Sequence, residues 1–319
     1  MNNTKLISGD FIEKNTVFTE LITALKQAFS NRNVLVPMRH HHDFPNPEMH
    51  ADSTLLLMPA WNLSKNAGVK VVTVSPENGQ FDLPSIQGTY IYLDAVKGTI
   101  KALLEAKRLT VKRTAAASAL ASSYLSRKNS SSLLMIGTGA LSKNLIKAHA
   151  AVRPIKNVFI WGRNFEKATA IATELQQENF TIQPIKTIEE KISNVDIISA
   201  ATLSKIPLIL GKHLKNGQHI DLVGAYKKDM READDETILK AVVYIDTFQG
   251  GLKESGDIVI PLQNGTLKEE NIKADLFELA SEEKQGRNNS NEITVFKSVG
   301  HALEDLAAAT YYYNKFTTN

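Results

Sequence analysis

Residues 133–142, reading LLMIGTGALS, restrict the fold of this chain more than any other segment. A short apolar strand ends in G-x-G-x-x-S, and a helix-like stretch, ALSKNLIKAHAAV, follows at once. Gly137 permits the tight turn that such a junction needs. Gly139 lets the backbone approach a pyrophosphate, which rests on the unpaired amide N–H groups of the helix N-terminus. Thr138, Ala140 and Leu141 complete the loop. Ser142 replaces the usual third Gly or Ala and is still small enough for close helix–strand packing. Two glycines alone are a weak signal. The setting strengthens it, because a second strand, NVFIW, ends about 20 residues further on.

The surroundings repeat that rhythm. LLMI, NVFIW, FTIQPI, VDIISA, QHIDLV and VVYID are short apolar runs, separated by helix-like segments such as NFEKATAIATELQQ and READDETILKA. Strands alternating with helices imply a parallel sheet covered on both faces. The first hundred or so residues read differently. VFTELITALKQAF sets Val17, Leu21, Leu25 and Phe29 on one helix face, and VLVPM, STLLLMPAW, VKVVTVSP and TYIYLDA then suggest a sheet-rich domain. KGTIKALLEAKRLTVKRTAAASALASSYLS reads as one helical stretch into the second domain, and a long terminal helix is expected to return to the first. The fold class is therefore α/β, a Rossmann dinucleotide-binding domain beside an α+β domain.

The end of the second strand bears on the cofactor. An NAD-preferring site usually carries Asp or Glu there to bind the ribose 2′-hydroxyl. This chain has Trp161, Gly162, Arg163 and Asn164 instead. A guanidinium pairs with a 2′-phosphate and stacks on adenine, which favours NADPH and leaves NADH use open. The plain alternative is an Arg163 that lies in solvent.

Four features of the first domain look out of place as architecture. Arg39 follows the strand VLVPM, Lys70 interrupts GVKVVTV, and Arg113 opens the helix RTAAASALAS. A buried lysine in a β-branched run is costly unless it meets an anion, whereas on an edge strand it simply points to water. Pattern alone leaves both open. The fourth feature, His40, His41, His42 and Asp43, reads as a solvated or carboxylate-recognising loop, since adjacent histidines on a strand cannot converge on one metal. No metal site is expected.

Composition closes other routes. The 319 residues contain no cysteine, which excludes disulfides, thiolate metal sites and a cysteine nucleophile. Net charge is +3, too mild and too evenly spread for a nucleic-acid footprint. No signal peptide and no run long enough to span a bilayer is seen, so a cytoplasmic protein without nucleic-acid or membrane partners is expected.

Nine blocks in order, VPMRHHH, LLLMPAW, AGVKVVTV, LTVKRTAAASALAS, GTGALS, HIDLVGAYKKDMREADDE, YIDT, ESGDI and FKSVGHALEDLAAA, resemble the ornithine cyclodeaminase/mu-crystallin family. Within it the chain looks most similar to the branch of Δ1-pyrroline-2-carboxylate and Δ1-piperideine-2-carboxylate (ketimine) reductases. The resemblance spans about residues 34 to 310. It implies a homodimer, formed through a discontinuous substrate and dimerisation domain, residues 1–112 and 299–319, with the Rossmann domain, residues 113–298, inserted. It implies that Arg39, Lys70 and Arg113 gather around the carboxylate of a small cyclic imino acid, with Lys70 the catalytic candidate. It also places Val223, Gly224, Ala201 and Thr202 along the cofactor, and Phe296, Ser298 and Val299 near its nicotinamide.

One departure bears on the reaction. Cyclodeaminases of the family carry a catalytic Asp soon after the strand corresponding to HIDLVGA; here Tyr226 follows Gly224 and Ala225. A phenol, with an ordinary pKa near ~10, is no carboxylate base at neutral pH. The expectation is therefore NAD(P)H-dependent reduction of a preformed cyclic ketimine, Δ1-pyrroline-2-carboxylate to proline or the six-membered imine to pipecolate. The alternatives are an ornithine cyclodeaminase and a non-catalytic, mu-crystallin-like binder of NADPH or a small ligand.

Overall fold

In the computed structural model, which describes residues 4–47 and 49–318, the apolar runs of the second half pair as an eight-stranded parallel sheet. Its spatial order is Thr181–Pro184, Asn157–Trp161, Ser132–Ile136, Ile197–Ala200, His219–Leu222, Ile293–Lys297, Ala241–Ile245, Ile272–Asp275. Strands buried on both faces need apolar side chains at successive positions, and Leu134, Ile136, Ile198, Ile220, Leu222 and Val295 are all fully buried. The strand order reverses beside Ser132–Ile136, between it and Ile197–Ala200. Ligands of open α/β sheets bind outside the carboxyl ends of strands at such a switch point. Gly137 and Ala201 leave the sheet there.

The helix Ser142–Val152 follows the glycine turn and is tied to the sheet by a sealed polar group. His149 Nε2 lies 3.1 Å from Asp221 Oδ2, and Ser199 Oγ donates to the same oxygen at 2.7 Å. All three are fully buried. The serine faces the carboxylate rather than the imidazole, so the trio anchors a helix and is no nucleophile.

Two compact units result, Met1–Arg113 with Ala302–Asn319, and Thr114–His301. The first holds a seven-stranded sheet ordered Lys5–Ile7, Ile100–Glu105, Ile86–Asp94, Asn66–Val74, Ser53–Asn62, Val34–Leu35, with His40–Phe44 also paired to Ser53–Asn62. Only the contact of Lys5–Ile7 with Ile100–Glu105 is parallel. The terminal helix Ala302–Thr318 packs on Ser53–Asn62 and Asn66–Val74 and against the helix Phe18–Ser30. That second helix buries Leu21, Ile22, Leu25 and Phe29.

Three sequence expectations change here. Val17 caps the helix Phe18–Ser30 and is 42% exposed, so it is not part of the apolar face. His40–Phe44 is an exposed strand rather than a loop, with Thr54 Oγ1 donating to Asp43 at 2.6 Å. Ile100–Glu105 is a strand, and the helix Ala106–Leu125 begins only after it, which places Arg113 inside the helix rather than at its opening. KALLE has helix-forming composition, but alternation buries Ala102 and Leu104, and partners on both edges satisfy its backbone. Tertiary pairing outweighs local propensity.

Candidate active site

Gly137 has φ +119°, a backbone conformation that side chains resist, and a Cβ there would meet Ala201 O at 2.6 Å. Ser142 Oγ donates to Gly137 O at 2.8 Å and closes the turn. No side chain caps the helix Ser142–Val152, and Ser142 N donates to Gly139 O at 3.2 Å, so the turn presents the positive end of the helix dipole to an anion. Above the turn lies a cavity of about 620 Å³. Gly137, Thr138, Gly139, Trp161, Arg163, Asn164, Ala201 and Thr202 all line it, together with Lys167. Two cations and no carboxylate belong to this lining. Size, a helix N-terminus without a side-chain cap and charge fit a dinucleotide.

The other cofactor candidates sit elsewhere. Ala140 and Leu141 continue the turn outside the lining. Asn164 does double duty, since its Oδ1 accepts from Lys167 N at 3.0 Å and caps the helix Phe165–Glu174. Val223 and Phe296 are buried in the sheet region, Phe296 completely. Ser298 and Val299 are held by Asp246, whose Oδ2 accepts from Ser298 Oγ at 3.3 Å, Val299 N at 2.7 Å and Gly300 N at 2.7 Å. Gly224 packs on the loop after Ile197–Ala200, where a Cβ would lie 2.0 Å from Thr202 N and O.

In the first unit, Lys70 occupies a central strand and is 3% exposed, which decides between its two readings. Its ammonium meets Asp305, with Oδ1 at 2.9 Å and Oδ2 at 2.8 Å, and donates to Thr110 Oγ1 at 3.5 Å. Arg113 Nε donates to Asp305 Oδ1 at 3.0 Å, and Arg113 Nη1 donates to Glu304 at 2.6 Å. Tyr90, the cross-strand neighbour of Lys70, is fully buried too. Glu304 and Asp305, in the segment expected from the sequence only to form a long terminal helix, were not among the candidate site residues. Their neighbours held the signal: in HALEDLAAA the flanking positions are apolar, so the helix turns no solvent face at the pair.

Electrostatics follow from this packing. Burial pushes the Lys70 ammonium down and Asp305 pulls it back, while Arg113 and Arg39 push it down further, to about 8. Burial alone would raise the Asp305 carboxyl, but Arg113 and Lys70 outweigh it and hold it below the usual carboxylate range. Arg39 is half-buried and close enough to act on Lys70 electrostatically. Counting Arg39, Lys70 and Arg113 against Asp305 and Glu304 leaves one net positive charge, suited to one carboxylate. Among the described residues no group of His, Cys, Asp and Glu could hold a metal ion, and no helix is long and apolar enough to cross a membrane.

The chain matches the family model described as ornithine cyclodeaminase/mu-crystallin family over residues 3–319. A Δ1-pyrroline-2-carboxylate reductase of Colwellia psychrerythraea is 37% identical over 308 residues, 96% of this chain and 97% of the relative. Among solved structures, the Δ1-pyrroline-2-carboxylate reductase of Thermococcus litoralis in complex with NADH and L-proline superposes with TM-score 0.91. It is 33% identical, with 99% of this chain and 98% of that chain covered. An archaeal alanine dehydrogenase dimer with bound NAD gives TM-score 0.90 at 26% identity, covering 99% and 96%. The glycine turn, the switch-point cavity and the cationic cluster thus stand in a chain that belongs to the ornithine cyclodeaminase/mu-crystallin family.

Proposed function

We propose that this chain reduces a cyclic ketimine with a nicotinamide cofactor, converting Δ1-pyrroline-2-carboxylate to L-proline, Δ1-piperideine-2-carboxylate to L-pipecolate, or both. The observation that carries the reading is Lys70, a buried lysine paired with Asp305 and close to Arg113, its ammonium pushed down to about 8 by burial. The relatives named above, one holding NADH and L-proline, support it. A reduced nicotinamide supplies a hydride when bound. Arg39 and Arg113 hold the imine carboxylate by charge-assisted bonds, and Lys70 keeps the ring nitrogen protonated as C2 is reduced. One hydride and one proton per C=N bond balance the reaction. Tyr226 supports reduction over deamination, because it is 46% exposed with the Lys227 ammonium 5.7 Å from its ring, and supplies no carboxylate base.

NADPH is the cofactor we assign as preferred, because Arg163 and Lys167 line the cavity without an opposing carboxylate. A panel of both imines with both cofactors tests the whole reading through loss of nicotinamide absorbance. Turnover should favour NADPH, and Arg163→Ala should reduce that preference about tenfold, the equivalent of one phosphate contact. Intact cofactor binding without turnover on either ring would sink the reductase assignment. Ammonia released from ornithine would favour the cyclodeaminase instead.

The same reading includes a homodimer. An antiparallel sheet with one free face normally turns polar residues to water. Here Leu55, Leu57, Val69, Val71, Ile91 and Leu93 alternate with the inward residues and are half-buried. A second copy is the partner assigned to that face, in line with the archaeal dehydrogenase dimer. Light scattering should return the mass of two chains; a monomer at micromolar concentration would refute it.

A further inference from the structure

Three fully buried ionisable side chains, Glu232, Asp257 and Lys297, lie together beside the cofactor cavity and line none of it. Glu232 Oε1 accepts from Thr202 N at 2.7 Å and Thr202 Oγ1 at 2.9 Å. Its Oε2 accepts from Gly224 N at 2.8 Å and Ala225 N at 3.2 Å. One carboxylate thus satisfies four donors, two from the loop after Ile197–Ala200 and two from the loop after His219–Leu222. These loops flank the switch point, and Thr202 lines the cavity. The carboxylate is itself fixed. Asp257 Oδ1 accepts from Glu232 N at 2.7 Å and Ala233 N at 3.1 Å, while Lys297 Nζ lies 3.1 Å from Asp257 Oδ2 and 4.0 Å from Glu232 Oε2.

We propose that Glu232 is a positioning residue for the nicotinamide cofactor, a clamp that holds the two cleft loops at binding separation only while its carboxylate is ionised. The proposal rests on the dinucleotide reading of the cavity and is independent of which imine is reduced. A carboxylate can accept at both oxygens from all four donors; the protonated acid must turn one oxygen into a donor and release part of a loop. The charge around it makes that change accessible. Two carboxylates share one ammonium in a sealed space. The charged groups facing Glu232 are Lys297 from the strand and Asp257 from the helix Gly256–Gln263. Neighbouring Arg231 turns instead to Ala233 O and Asp235. Burial raises the Glu232 carboxyl, Lys297 opposes this, and Asp257 raises it again, leaving it at about 7. Ionisation is therefore lost, and the clamp loosened, as pH falls through that value.

Calorimetric titration of the full chain with NADH tests this, because NADH lacks the 2′-phosphate that titrates in the same range. Wild-type Kd should rise as pH falls through about 7. Glu232→Gln keeps one acceptor but sets an amide nitrogen against Gly224 N and Ala225 N. It should weaken NADH binding about tenfold above pH 7, the scale of one charge-assisted hydrogen bond, and abolish the pH dependence. Asp257→Asn keeps the acceptor for Glu232 N and Ala233 N but removes a negative charge, so it should move the midpoint to lower pH. A purely structural role would not move it. Unchanged affinity and midpoint in Glu232→Gln, or an unmoved midpoint in Asp257→Asn should Glu232→Gln not fold, overturns the proposal. Wild type that binds no NADH overturns the dinucleotide reading and the clamp with it. NADH binding without imine turnover overturns only the substrate assignment.

Discussion

Lys70→Met is expected to lower kcat/KM for the cyclic imine about a thousandfold, within the range of a lost general acid, while NADH affinity is unchanged. Methionine fills the lysine's space on the central strand, and Asp305 keeps Arg113 as its partner, so the fold has no reason to fail. Lys70 lines no part of the glycine-turn cavity, which is why cofactor binding should survive. The diagnostic reading is the pH profile. For kcat/KM the profile reports free-enzyme groups, and the Lys70 ammonium, pushed down to about 8, is the proton-bearing form. Wild-type kcat/KM should therefore fall as pH rises through about 8. In the variant that limb should vanish, leaving a low, flat profile. A methionine variant that retains the wild-type alkaline limb would assign the limb to another group and remove Lys70 from the proton transfer.

The sequence carried the second unit further than the first, and the reason lies in what each strand buries. Ser132–Ile136 is sealed on both faces from Leu133 onward, so its apolar character is written at successive positions and survives without context. Ile100–Glu105 is a one-sided strand in which Lys, Ala, Leu and Glu follow Ile100, a run that reads as helix until partners on both edges are known. The histidine run failed for a related cause. Its residues are all exposed, and the strand exists because Ser53–Asn62 offers an edge.

The site divides in the same way. Gly137 is legible because a left-handed turn with a carbonyl 2.6 Å from any Cβ tolerates little else. Lys70 is legible as an anomaly, but its partner is not, because Asp305 lies 235 positions away. Lys297, Glu232 and Asp257 stand within the segments that resemble the family, yet their convergence depends on three separate elements meeting beside the cleft. Charge placed in an apolar surrounding was the available signal in each case; the identity of the counter-charge was not.

That missing counter-charge yields the largest stability effect expected of a single substitution here. Asp305→Ala strips both Lys70 and Arg113 of a carboxylate in a fully buried position. Removing one partner of a buried ion pair leaves charge without compensation and typically costs about 3–5 kcal/mol. Arg113 keeps Glu304, and Lys70 escapes part of the penalty by losing its proton, so the lower end of that range is expected. Thermal unfolding should begin on the order of 10 °C earlier. Asp305→Asn separates stability from chemistry. Its oxygen, in the place of Oδ1, still accepts from Arg113 Nε and Lys70 Nζ, whereas its amide nitrogen replaces Oδ2 beside Lys70 and the charge that had held the ammonium up is gone. Stability should fall less than in the alanine variant, and the alkaline limb of kcat/KM should move below 8, because Asp305 is what raises Lys70 against burial. Glu304→Gln, which keeps an acceptor for Arg113 and does not touch Lys70, should leave the limb in place. An alanine variant that unfolds within about 1 kcal/mol of wild type would show that Asp305 does not hold the two cations, since such a loss is ordinary for a point substitution anywhere in a protein.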